Sequence, residues 1–130
     1  INLAQELEIN GKPATQDPAV RQQLVQLSIE CKAITYNMFR SLSKRIQGNP
    51  PGPEGSVNKL HGSELNKRLS MFATELLGPY AQLVQGSPHT LRNGRWPKAA
   101  LAYRLLTIAG GTSEIQRGIL GDRVLGMPKG

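Results

Sequence analysis

The residues best suited to chemistry lie near the end of the chain, in the string Gly110-Gly111-Thr112-Ser113-Glu114-Ile115-Gln116. Two adjacent glycines let backbone approach a ligand with no Cβ in the way. A helix that starts directly after them turns free N–H groups and a positive dipole end toward the same spot. Thr112 and Ser113 add hydroxyls, so the junction suits a polar, anionic cofactor. On spacing alone, such a string more often marks a plain helix break, with Ser113 and Gln116 forming a Ser-x-x-Gln capping box. Glu114 is the nearest carboxylate, but its place in a first helical turn is where an acid simply complements the dipole. His61 and His89 have no cysteine or acid at ligand spacing, which argues against a metal site or a nucleophilic triad. Cys31 is the only cysteine, so no intrachain disulfide and no four-cysteine zinc site can form. It falls among apolar helical positions and is expected to be a buried, inert thiol.

These residues need a scaffold, and 130 residues suffice for one compact domain. The hydrophobic fraction of 38% is ordinary for a globular protein, and no apolar run is long enough to span a bilayer. Glu6 and Glu8 interrupt the start, which does not resemble a secretory leader; a reducing, cytoplasmic setting is expected. The chain opens on Ile1 rather than methionine and is read as a fragment or processed product. The net charge of +7 invites the question of nucleic acid. The basic residues, however, are scattered from Lys12 to Lys129, with Lys44-Arg45 and Lys67-Arg68 the densest pairs. Aromatic residues make up 5% and do not interleave with the basic ones, so no stacking platform for nucleic acid is expected. A cationic domain facing an anionic cofactor, substrate or partner explains the charge.

The hydropathy pattern predicts helices throughout. Residues 1–16 read as a loose lead-in with turn material at Asn10-Gly11-Lys12-Pro13, followed by a helical domain over 17–130. Asp17-Pro18 is an N-cap followed by proline at the first helical position. Val20, Leu24, Leu27, Cys31, Ile34, Met38 and Leu42 then form a long stripe at steps of three and four. A second helix is predicted over 53–77, with Val57, Leu60, Glu64, Leu65, Leu69, Phe72 and Leu76 at helical spacing. Glu64 stands ready to pair with Lys67 and Arg68 on the surface, and Gly78-Pro79 stops the helix. Residues 80–95 read as a short turn and loop. A third helix is expected over about 97–108, with Trp96 packed at its start, and a fourth from Ser113 with Ile115, Ile119, Leu120 and Val124 on its apolar face. No strand pattern competes. The predicted fold is an all-α antiparallel four-helix bundle.

The stretch from Thr107 through Arg117, followed by Asp122-Arg123-Val124-Leu125-Gly126-Met127-Pro128, closely resembles the end of the acyl-CoA dehydrogenase family. Its signature there is a Gly-Thr-Ser-x-Ile-Gln-Arg turn and helix closing in Arg-Val-Leu-Gly-x-Pro. Pro51-Gly52-Pro53-Glu54 through Lys59, Ser63-Glu64-Leu65-Asn66 and Leu76-Leu77-Gly78-Pro79 are similar to the actinobacterial branch, so the resemblance covers nearly all of the chain from about residue 17. It implies the C-terminal helical domain of a flavoprotein whose N-terminal helical and middle β domains lie elsewhere. In that family, flavin adenine dinucleotide (FAD) sits at subunit contacts. Carried over, Thr112, Ser113 and Glu114 would line the flavin in cis, and Gly111 backbone would approach the acyl thioester. Glu75, Leu76, Leu77, Gly78 and Pro79 match the part contributed by a neighbouring subunit. Two departures stand out. Many members have glutamine and Gly-Gly at the ends of that last stretch, and many carry arginine and phenylalanine where this chain has Leu7 and Asn10.

The reaction so implied is α,β-dehydrogenation of an acyl-CoA thioester: a carboxylate takes the α proton, a flavin accepts hydride from the β carbon, and an electron-transfer acceptor follows. Many members place the base directly before the Gly-Thr. Here that position is Gly110, so no catalytic residue is assigned. The base would come from an earlier helix or from a different subunit, or the protein is a non-catalytic homologue. The 130-residue chain alone is expected to be inactive, and the long amphipathic helices imply a homo- or hetero-oligomer. The alternatives are a helical oligomerisation or interaction module and a catalytically silent subunit of a heteromeric dehydrogenase.

Overall fold

Asp17 opens the longest helix as its sequence predicts: Oδ1 accepts from Ala19 N at 2.9 Å and from Val20 N at 3.0 Å, with Pro18 at the first helical position. The structure, a computed structural model, describes residues 1–128. Its helices are α1 (Asn2–Glu6), α2 (Pro18–Ile46), α3 (Glu54–Leu77), α4 (Arg95–Leu106) and α5 (Ser113–Arg123). A minimal antiparallel pairing joins β1 (Glu8–Ile9) to β2 (Lys12–Pro13).

Side-chain links show that α2 and α3 run antiparallel, because they step in opposite directions along the two helices. Lys44 pairs with Glu54 beside the connecting turn. Asn37 Nδ2 donates to Asn58 Oδ1 at 2.7 Å, and Arg68 holds Glu30 at the far end. Between the helices, Val20 and Leu27 meet Leu65 and Phe72, flanked by Leu24, Ile34, Leu69 and Leu76. Each such side chain, fully buried, contributes about 1.5–3 kcal/mol. Helices α4 and α5 also pack on α3, so α3 is the axis of the bundle. The all-α expectation is borne out.

Several local expectations are corrected. Residues 1–16 are not loose: Leu3, Ala4 and Ala14 are buried, and Ala4 and Ala14 belong to the α2–α3 core. The segment buries its small and apolar residues under a short helix and hairpin, too brief to show a period in sequence. The strand pairing was not anticipated for the same reason. Cys31, Met38 and Leu42 are exposed, so the fully buried part of the α2 stripe ends at Leu27, with Ile34 half-buried beyond it. The third long helix starts at Arg95 and ends at Leu106, after a 3-10 turn at Leu91–Gly94 in which Arg92 and Asn93 take positive φ. Trp96 packs as expected, joining Leu3, Ala73 and Leu77 in a second apolar cluster, with Arg95 stacked 5.4 Å over its ring. On α5, Ile119 and Leu120 are half-buried, while Ile115 and Val124 face outward.

Candidate functional site

The α4–α5 junction is built from two glycines in backbone regions that disfavour side chains, Gly110 at φ +71° and Gly111 at φ +95°. A Cβ on Gly111 would come within 2.9 Å of Gln116 Nε2 and push that amide aside, while the positive φ disfavours any side chain there. Thr112, not Ser113, is the N-cap: its backbone is extended and its Oγ1 accepts from Ile115 N at 3.2 Å. Ser113 is the first helical residue, and its Oγ donates to Glu64 Oε1 on α3 at 2.7 Å. The expected capping box is absent because Gln116 turns elsewhere, its Nε2 donating to Gly110 O at 3.1 Å. Lys59 of α3 completes the arrangement by donating from Nζ to Gly111 O at 2.5 Å.

Three side chains therefore grip one turn. Ser113 and Gln116 are buried, and Gln116 Oε1 is left inside the protein with no protein donor. The chain turns back at Gly110 on the end of α4, and Ser113 N donates to Thr107 O at 3.0 Å, so the turn is folded tightly against that helix end. Positive-φ glycines directly ahead of a helix start give a positively polarised end of the kind that favours anions and carbonyl oxygens. The junction thus fits a polar anionic cofactor: it offers donors, admits close approach and would be filled by a Cβ. Glu114 lies on the exposed flank. Its own backbone N–H, the Thr112 hydroxyl and Arg117 hold its carboxyl below the ordinary range, which fits a charge complementing the helix dipole.

The second group of expected residues ends α3. Glu75 lines an open groove of about 590 Å³ with Gln22, Gln23 and Gln26. Leu76 is half-buried and Leu77 is core, so the Leu77 side chain is closed to a ligand within this chain. Gly78 turns the chain at φ +54° before exposed Pro79. Leu7 packs beside Leu77 in the same apolar cluster, so the N-terminal segment and the end of α3 form one surface. The helical rise puts Glu75 about 16 Å along α3 from Glu64. The two groups are therefore not gathered into one small pocket within a single chain.

Sequence reasoning missed Lys59 and Glu64 as partners of the junction. Glu64 has Lys67 at 4.0 Å, but Arg68 turns to Glu30 instead. No signal in spacing could pair α3 with residues about fifty positions away. His61 also has an acid neighbour that its sequence spacing hid, Glu30 Oε2 at 3.3 Å from Nε2. No group of metal-ligating side chains occurs among the described residues, and no described helix is long and apolar enough to cross a membrane.

Comparison with known proteins agrees with this construction. Residues 1–125 match the family model described as acyl-CoA dehydrogenase, C-terminal domain. Acyl-CoA dehydrogenase FadE26 of Mycobacterium tuberculosis is 36% identical over 128 residues, covering 92% of this chain and 32% of that protein. Acyl-CoA dehydrogenase IpdE1 of Mycolicibacterium smegmatis is 32% identical over 119 residues, covering 89% and 27%. Among solved structures, the ChsE4-ChsE5 complex from Mycobacterium tuberculosis superposes with a TM-score of 0.85 at 29% identity, over 99% of this chain and 34% of the matched one. The Tcur3481-Tcur3483 steroid ACAD, at 21% identity and a TM-score of 0.80 over 89% and 30%, shares the fold. The chain spans about a third of the length of these relatives. By its glycine junction, its helical architecture and the match along 1–125, the chain belongs to the acyl-CoA dehydrogenase C-terminal domain family.

Proposed function

We propose that this chain is the cofactor-contacting and assembly domain of a flavin-dependent acyl-CoA dehydrogenase that introduces an α,β double bond into an acyl-CoA thioester. The observation that carries the reading is the Gly110–Ser113 turn, whose carbonyls at 110 and 111 are held by Gln116 and Lys59 and whose two glycines both take positive φ. Thr112, Ser113 and Glu114 would border FAD from this subunit. Glu75, Leu76, Leu77, Gly78 and Pro79 would border the FAD of a neighbour, a division favoured by the length of α3 between the two groups. FAD supplies the hydride acceptor when bound. Gly111 backbone would lie against the thioester, and its amide would orient the carbonyl so that the α proton becomes acidic.

The chain's own base position is Gly110, so proton removal falls to a carboxylate outside these residues. A second reading, a catalytically silent subunit of a heteromer, draws support from that glycine. The names of two similar solved structures, ChsE4-ChsE5 and Tcur3481-Tcur3483, are also those of two-component assemblies.

Gly111→Val in the full-length protein tests the junction. Flavin content and acyl-CoA affinity should drop at least tenfold while circular dichroism stays helical. Asp17→Ala is the contrast: it removes the cap of α2, costing about 0.5–2 kcal/mol of stability, and leaves the glycine turn and its hydroxyls in place. Full flavin and normal acyl-CoA affinity in Gly111→Val would reduce the junction to a helix break.

A further inference from the structure

We propose that the outer face of α2 pairs antiparallel with the same face of a second copy of this chain, Ile29 against Ile46 and Tyr36 against Phe39. The inference deepens the assembly role proposed above and rests on it. Val25, Ile29, Tyr36, Phe39 and Ile46 are each more than half exposed and lie along the side of α2 turned away from α3. With Lys32 and Ser43 between them, they recur at strictly alternating steps of four and three, so the line 25–46 is a heptad seam. A strict heptad keeps one line of side chains turned toward a partner helix along its whole length.

The seam is self-complementary in one register. In an antiparallel pair, residues of one heptad step face residues of the other step in the second copy, and the possible registers differ by whole heptads. When the two-fold axis crosses between residues 37 and 38, Ile29 faces Ile46, Tyr36 faces Phe39 and Lys32 faces Ser43, each contact being made twice. Apolar side chains then meet apolar ones and polar meets polar. Sliding by one heptad sets Lys32 against Tyr36 and Ser43 against Val25. Sliding the other way sets Ser43 against Phe39 and leaves Ile29 beyond the end of the facing helix.

Charge selects the same orientation. Around its middle the seam carries Lys32 and Arg40 and no acid, since Glu30 turns to Arg68 and His61. A parallel pair would set Lys32 on Lys32 and Arg40 beside Arg40, whereas the antiparallel pair gives them Ser43 and Thr35. Shape agrees as well. Ile46 is 77% exposed at the end of α2, and an open groove of about 500 Å³ lies beside Val25 and Ile29, lined also by Leu24. In this register that groove receives Ile46 and the Pro50-Pro51 turn of the second copy. The five apolar residues expose on the order of 600 Å² per copy. Lys32, Arg40 and Ser43 bring this close to the roughly 800 Å² per partner of a stable interface.

The test uses the full-length protein in a Cys31→Ser background with a short bismaleimide cross-linker. Lys32→Cys and Ser43→Cys are made singly and together; both sites are exposed, so helix content and melting midpoint should stay unchanged. In the proposed register the two sites meet across the interface, whereas each lies about 16 Å along the axis from its own counterpart. The double variant should give at least tenfold more covalent dimer than either single variant or the background protein. Single variants that cross-link as well as the double one place the helices parallel or in another register and overturn the proposal. No cross-link above background, in a protein that still sediments as an oligomer, also overturns it: another subunit or domain covers this face, and the assembly role stands. Wild-type protein that sediments as a monomer removes the assembly role and the proposal together.

Discussion

At the scale of single residues, one carboxylate carries unusual electrostatic weight. Glu30 on α2 is held by Arg68, and also by Gln26 and His61, with desolvation opposing them. The guanidinium dominates and lowers the carboxyl from 4.5 to about 2. A depressed folded pKa means that the stabilisation is complete above about pH 4.5 and is lost as pH falls toward 2. The Arg68 end is half exposed and screened by solvent, so the contribution is about 1–2 kcal/mol. Glu30→Gln should lower stability by that amount at neutral pH and flatten the acid limb between pH 4.5 and 2. Denaturant melts at a series of pH values check this; equal acid limbs in both proteins would refute it. Glu30 and Arg68 are both plain in the sequence, but their pairing spans two helices and 38 positions.

At the scale of elements, the N-terminal segment is the main surprise. Leu3 is 7% exposed and packs on Ala73 and Leu77 at the end of α3, next to Leu7 and Trp96. This cluster ties α1, α3 and the start of α4 together, and it lies under the Glu75–Pro79 surface. Leu3→Ala should cost about 2–3 kcal/mol, by lost transfer energy and the cavity left behind. A truly loose lead-in would give a change near zero. Thermal unfolding separates the two outcomes. Helix existence and most boundaries were legible because capping residues and apolar period act within a few residues: Asp17-Pro18 and Gly78-Pro79 both behave as read. The structure of residues 1–16 was not legible, since five helical residues and a six-residue hairpin are stabilised almost wholly by what they touch.

At the scale of the whole molecule, α2 carries a second apolar stripe facing away from α3. Val25, Ile29, Tyr36, Phe39 and Ile46 are each more than half exposed. Leu101, Leu105 and Ile108 form another such line at α4. Exposed apolar side chains spaced in this way suit cover by another subunit, as the proposed assembly role requires. Phe39→Asp should shift the protein toward smaller species in sedimentation velocity without loss of helix content. An unchanged distribution at micromolar concentration would exclude this face from the assembly.

What the sequence determined by itself is the set of local decisions: helical period, the caps and breaks, the glycines at 110 and 111, and the resemblance carried by the residues that follow them. Those depend on interactions within a turn or two of chain, which spacing records. The tertiary structure decided which partners those residues take. Ser113 looked like a cap and instead donates to Glu64, Gln116 looked like half of a capping box and instead holds Gly110, and Cys31 looked buried and is exposed. The Ser113 and Cys31 outcomes depend on where α3 lies relative to another element, and the Gln116 outcome on how the glycine turn folds back over the start of α5. That arrangement is fixed by side chains packing between helices far apart in sequence, and no local pattern encodes it.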